Sequence, residues 1–132
     1  MTLVRAKGLI TSWLHVPPER EEEFNDWYNL EHLQQMAALP GFVSARHYMV
    51  EGAMPKYLAW YGTVDESIEP SAEVQHVLDN PTPWSQRVRR FCAHRERMNS
   101  RLMRDVGTVS VDDTPWLYIV HTDIPDHAKD KT

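Results

Sequence analysis

The sequence carries one cysteine, Cys92, in 132 residues. No intrachain disulfide can form, which fits a reducing cytoplasm better than a disulfide-stapled secreted scaffold. No run approaches the roughly 18 apolar residues of a membrane span. The N-terminal residues lack an apolar signal region followed by a small-residue cleavage site. The expectation is a cytoplasmic protein without a membrane partner. A basic surplus is also missing: 14 Lys and Arg stand against 19 Asp and Glu, a formal net charge of −5. Nucleic acid is therefore not an expected partner, because phosphate binding needs a basic surface. There is no Gly-rich phosphate loop, HExxH, paired CxxC or GxSxG. Glu31-His32 and His121-x-Asp123 are fragments of metal sites at most, so no metal and no cofactor are expected.

What is present suits one globular domain with a core of its own. Hydrophobic residues make up 42% and charged ones 25%, and five Trp, five Tyr and three Phe can supply a core or a pocket wall. The charge is uneven. Glu19 to Glu31 is acidic and Arg87 to Arg104 is basic. Such a split serves as two solvated faces, or suits self-association or anion capture.

Gly8 to Val16 reads as a strand stopped by Pro17-Pro18. Pro18 suits a first helical position, and Glu19, Glu21, Glu22 and Glu23 favour the positive end of a helix dipole. That helix is predicted to run to about Ala38, ended by Leu39-Pro40-Gly41. Phe42 to Val50 and Tyr57 to Val64 read as a strand hairpin. Pro70 to Leu78 reads as a short helix, and another starts near Trp84. Arg95 to Val106 either continues that helix or becomes a fourth strand. Pro115 to Ile124 reads as a further strand. The end of the first strand, Trp13 to Pro18, is echoed by His121 to Asp126, either by chance or as a vestigial repeat. The last residues, His127 to Thr132, are expected to fray.

Three stretches carry a resemblance: Glu23-Phe24-Asn25-Asp26-Trp27-Tyr28-Asn29-Leu30-Glu31-His32-Leu33, then Leu39-Pro40-Gly41-Phe42, then Ala45-Arg46-His47-Tyr48. Together they resemble the pattern EFN-x-WY-x-x-EHL…PGF…AR-x-Y of EthD-like proteins in the dimeric α+β barrel superfamily. Lys56 to Ala59 and Thr82 to Arg87 are similar to that group's third strand and second-helix region. The resemblance covers roughly residues 8 to 104. It implies a ferredoxin-like α+β fold, β-α-β-β-α-β, with a four-stranded antiparallel sheet and pairing into a homodimer. The expected layout is a barrel domain over residues 1–107 and an extension over 108–132 with one additional strand. His47 departs from the Arg common in relatives. The reaction is open, since relatives include accessory proteins of ether degradation, polyketide cyclases, monooxygenases and enzymes of aromatic catabolism.

At 100° per residue, Phe24, Trp27, Tyr28, Glu31, His32, Gln35, Ala38 and Leu39 share a broad helix face. Glu31, His32 and Gln35 do not belong in a plain core, so the face is expected to line a partly wet pocket. The alternative is that Glu31 and His32 sit at its solvated margin. His32 is the leading acid/base candidate, because imidazole titrates near neutrality. Tyr28 lies one helical turn before it. His15, at the end of the first strand, is a second proton carrier or an exposed residue before a turn. Arg46 can clamp a carboxylate with its planar fork, or pair with the acidic helix. Tyr48 shares its strand face, while His47 points the other way. Trp27, Trp60 and Phe24 are candidate pocket walls. Arg87, Arg90 and His94 form a stripe that is an anion wall or an exposed basic face. Cys92 is read as a buried structural thiol rather than a nucleophile.

The function expected from these residues and the resemblance is cofactor-independent proton transfer on a small conjugated or aromatic-derived carboxylic acid. An isomerase, lyase or hydrolase acting on a ring-fission product would qualify. The catalytic set is His32, His15 and Tyr28. The binding set is Trp27, Glu31, Arg46, Tyr48, Trp60 and Phe24. The alternatives are a cofactor-free or haem-dependent monooxygenase and a non-catalytic, small-ligand-binding dimer.

Overall fold

A computed structural model describes residues 5–52, 54–108 and 114–126, without the side chains at 94 and 95. Four strands make the sheet: β1 (Gly8–His15), β2 (Phe42–Met49), β3 (Tyr57–Thr63) and β4 (Ala93–Arg101). Their order is β2-β3-β1-β4, and every neighbouring pair is antiparallel. Four helices pack on one face: α1 (Glu21–Trp27), α2 (Leu33–Ala37), α3 (Ala72–Asp79) and α4 (Pro83–Arg89). The chain is thus ferredoxin-like α+β, as the resemblance implies.

Strand alternation separates the two sheet faces. Ile10 pairs with Tyr61 and Leu14 with Tyr57, and all four are buried beneath the helices. Phe24, Met36, Val74 and Val88, each at most 1% exposed, close the core from the helical side. The opposite face carries Thr11, Trp13, Leu58 and Trp60.

The segment from Pro18 to Ala37 is one helical run with three geometries. A short 3-10 turn (Pro18–Arg20) precedes α1, and a π-helical turn, Tyr28–His32, separates α1 from α2. Acidic residues crowd its start as the dipole favours, and two become ion pairs: Glu21 to Lys56 at 2.7 Å and Glu23 to Arg87 at 2.6 Å. Part of the acidic-to-basic split is therefore consumed within the chain, binding α1 to β3's entry and to α4. Thr82 caps α4 by accepting from the Ser85 backbone N–H at 3.0 Å, and Pro83 takes the first helical position.

Two expectations are corrected. The fourth strand starts at Ala93, before the predicted Arg95, because α4 ends at Arg89 and a turn bonds Cys92 N–H to Val88 O at 3.1 Å. The additional strand over Pro115 to Ile124 is absent: residues 114–126 carry no strand. Instead of extending the sheet edge, Pro115 to Ile119 lies beside Trp13, Tyr48 and Leu58 on the helix-free face. The fraying expected of His127 to Thr132 falls outside the described residues. Among the described residues no helix is long and apolar enough to cross a membrane.

Gly41 turns the chain from helix to β2 at φ +89°, where a Cβ would overlap the Ile68 side chain. Its carbonyl accepts from Val64 N–H at 2.9 Å, so the turn cannot drift freely. Gly41→Ala should cost about 1–3 kcal/mol. Urea denaturation will show it as a lower midpoint at an unchanged slope, and an unchanged midpoint would mean that this turn is not constrained.

Candidate functional site

A cleft lies between the helices and the sheet, with a cavity volume of about 40 Å³. Such a volume admits a few waters. The π turn supplies Tyr28 and His32, and Trp27 immediately before it also lines the cleft. In a regular α-helix, residues five apart diverge by about 140°. Widening the turn brings Trp27 and His32 together, with rings stacked at 4.5 Å and 13°. Tyr28 meets His32 edge-on at 5.3 Å. π turns of this kind recur at functional sites.

Tyr28 reaches across to the sheet. Its phenol oxygen lies 2.8 Å from that of Tyr61, and both side chains are buried. Burial pushes the Tyr28 phenol well above its usual range, with Tyr61 reinforcing the shift and the nearby Arg97 charge opposing it. Burial likewise pushes Tyr61 up to about 12. Both phenols are therefore protonated donors at neutral pH.

Arg97 is a cation of this cleft. Its Nε donates to Glu69 at 3.0 Å, while its Nη2 is buried with no hydrogen-bond partner. It stands on the helix-facing side of β4, opposite Ser12 of β1, which also lines the cleft. α4 and the segment after it contribute Ser85, Arg89 and Cys92. Trp27 is held by its indole N–H, which donates to Ser85 Oγ at 3.1 Å.

The structure brings only part of the expected set together. His32, Tyr28 and Trp27 line the cleft. Glu31 turns aside: its carboxylate accepts from Thr82 Oγ1 at 2.8 Å and ties the π turn to the α4 cap. Phe24 is fully buried behind Tyr28 in the aromatic core, 5.5 Å between ring centres. Arg46, Tyr48 and Trp60 lie on the other face of the sheet, because Arg46 pairs with Trp60 and Tyr48 with Leu58, each one step out of phase with Tyr61. They do not reach the cleft. His15 is also outside it, in register with Ala93 beside a β4 irregularity. It is His47, not Arg46, that faces the helices, stacked on Tyr28 at 4.2 Å and 13°. In the predicted stripe, Arg87 is taken by Glu23, Arg90 is exposed, and the His94 side chain lies outside the described residues.

Sequence reasoning missed Arg97, Tyr61, Ser12 and Ser85. The basic run Arg87 to Arg104 held a signal for Arg97. Reading it required knowing that the run is a strand, which puts residues 97, 99 and 101 on one face. Among the described residues no group of three or more His, Cys, Asp or Glu could hold a metal ion.

No family model matches the chain, and no curated protein matches it in sequence. Solved structures do match in fold. HapK from Hahella chejuensis aligns with a TM-score of 0.55 at 11% identity, covering 78% of this chain and 99% of HapK. The heme-degrader MhuD from Mycobacterium tuberculosis, with two hemes bound in its active site, aligns at 0.54 and 10%, covering 76% and 99%. An ethyl tert-butyl ether degradation (EthD) family protein from Bacillus halodurans aligns at 0.51 and 12%, covering 73% and 98%. The chain therefore shares the ferredoxin-like α+β fold of these proteins, in agreement with the EthD-like pattern in its sequence. At such identities the likeness speaks for the fold alone.

His47 gives a pH test of this packing. Burial lowers its pKa from 6.5 to about 4. Below pH 6.5 the unfolded chain takes up a proton that the folded chain refuses, so stability falls until about pH 4 and then levels. The shift corresponds to about 3 kcal/mol. His47→Phe, which keeps an aromatic ring against Tyr28, should remove that part of the acid slope in urea titrations from pH 7 to 4. An unchanged slope would place the acid sensitivity elsewhere.

Proposed function

We propose that this cleft binds a small planar carboxylate, conjugated or derived from an aromatic ring, and moves a proton on it without a cofactor. The observation that carries the reading is Arg97, which lines the cleft and whose Nη2 is buried with no partner while Nε is held by Glu69. A guanidinium fixed on one side and open on the other is suited to a carboxylate oxygen. Beside it stand two phenols that burial keeps protonated. The Tyr28 hydroxyl can donate to an enolate oxygen as charge develops there.

In this reading His32 is the group that moves the proton. Its ring is set by the flat contact with Trp27, which Ser85 in turn holds. His32 takes a proton from the carbon next to the conjugated system, the charge passes to the oxygen facing Tyr28, and the proton returns at another carbon. The sum is an isomerisation that needs neither metal nor oxidant. Substrate enters by displacing the half-buried side chains His32, Gln35, Val77 and Leu78, since the cavity itself is small. The working unit we propose is a pair of chains joined through the sheet face that carries no helix.

The test is a panel of unsaturated and aromatic carboxylates followed by isothermal titration and by absorbance for turnover. Arg97→Lys keeps the charge but loses the fork, and should weaken binding about tenfold or more. His32→Ala should lower turnover by about 10²–10⁴ with binding retained. Turnover unchanged in His32→Ala would remove that residue from the mechanism. Binding unaffected by Arg97→Lys would overturn the anion site itself. Tight binding with no turnover in the parent chain would instead make this a carrier of the same ligands.

A further inference from the structure

Glu31 and His32 are neighbours in the chain, yet they leave the π turn in different directions. His32 enters the cleft, and Glu31 meets the start of α4. A chain of hydrogen bonds brings the carboxylate back to the imidazole by another route.

The indole N–H of Trp27 donates to Ser85 Oγ at 3.1 Å. Ser85 Oγ in turn donates to Glu31 Oε2 at 3.5 Å, and the Thr82 hydroxyl donates to the same oxygen at 2.8 Å. The two hydroxyl oxygens lie 3.0 Å apart. A hydroxyl has one proton, and that of Ser85 points toward the carboxylate, which leaves a lone pair for the indole. Every donor in the chain is therefore directed at one anion. Trp27 and Ser85 are both buried, where such bonds polarise one another.

The far end of the chain is the ring on which His32 lies flat, at 4.5 Å and 13°. An aromatic face attracts a cation, and indole does so best. Drawing the N–H toward an anion makes that face more negative. The surroundings make this contact matter. Two guanidiniums, Arg89 of α4 and Arg97 of β4, line the same cleft and oppose a positive charge on His32, although Glu69 offsets Arg97. Tyr28 and Cys92 are the other titratable groups that line it, with Tyr61 of β3 and His47 of β2 behind Tyr28. From α3 come Val77 and Leu78, which carry no charge.

We propose that Glu31 is a positioning residue for His32, acting through Ser85 and Trp27: its carboxylate fixes the indole and enriches the face that the imidazole stacks on, so that His32 holds a proton more firmly. The inference deepens the reading of His32 as the proton-moving group and rests on it for its use in catalysis.

The test reads His32 in the full chain without substrate, by the pH dependence of its ring C–H signal in NMR, identified by its absence in His32→Ala. It therefore fails or succeeds separately from turnover. Glu31→Gln and Ser85→Ala should each lower the midpoint of the His32 titration by about 0.3–0.5 pH unit. Thr82→Ser, which keeps the hydroxyl, should leave it in place. Trp27→Phe keeps a ring but removes the N–H, and in that background Glu31→Gln should have less than half its effect. An equal effect in both backgrounds would overturn the proposal, because the carboxylate would then act on His32 directly. A midpoint unmoved by Glu31→Gln would overturn it as well, leaving Glu31 as a structural tie between the π turn and α4. The Trp27 indole N–H resonance gives a second readout that needs no packing change. It should move upfield in Glu31→Gln, and a signal that stays in place would mean that the chain does not reach the indole, which also sinks the proposal.

Discussion

The hydrogen bond between Tyr28 and Tyr61 joins the helical layer to the sheet at the centre of the core. A buried phenol must find a partner, and here each finds the other. The bond holds only if the helix presents Tyr28 squarely to β3. Phe24 and His47 brace that ring from two sides. The π turn follows the same residue, and through it Trp27 and His32 come to share one stack. The geometry of the cleft is thus a consequence of how one tyrosine is seated.

Part of the charge around this core is spent internally. Glu21, Glu23 and Glu31 each leave the helix toward a different neighbour: Lys56, Arg87 and the Thr82 hydroxyl. These contacts are partly exposed and individually weak, but they orient α4 against the helical run. Arg97 differs in kind. Its Glu69 contact satisfies Nε and leaves Nη2 buried without a partner. A partly buried cation with an unpaired nitrogen is a functional feature more readily than a stabilising one.

The sheet has two unlike faces. Beneath the helices, protonated phenols and a guanidinium meet an imidazole in a narrow space. On the other face Leu58, Trp13 and the tail aromatics line a wider groove, and Arg46 stands on the same face. His47 belongs to the first of these environments, where its ring packs against Phe24 and Tyr28. Its neutrality follows from burial alone. A histidine able to ionise there would place charge against the aromatic core.

The sequence by itself determined the order of elements as far as α4, the helix start at Pro18, the turn at Gly41 and the hairpin, because each rests on local chemistry: fixed φ, dipole preference, positive φ and period-two alternation. It also placed Tyr28 and His32 on one side of one helix, which periodicity alone can do. What only the tertiary structure decided was which strand face met that helix. Alternation says that Arg46 and His47 oppose each other, yet not which one turns inward; packing against Phe24 and Tyr28 selected His47. The same holds for Arg97, whose role depended on residues after α4 becoming a strand paired with β1. The tail's placement was equally beyond local reading. An apolar stretch looks alike whether it joins a sheet edge or lies across a face, and long-range contacts made that choice.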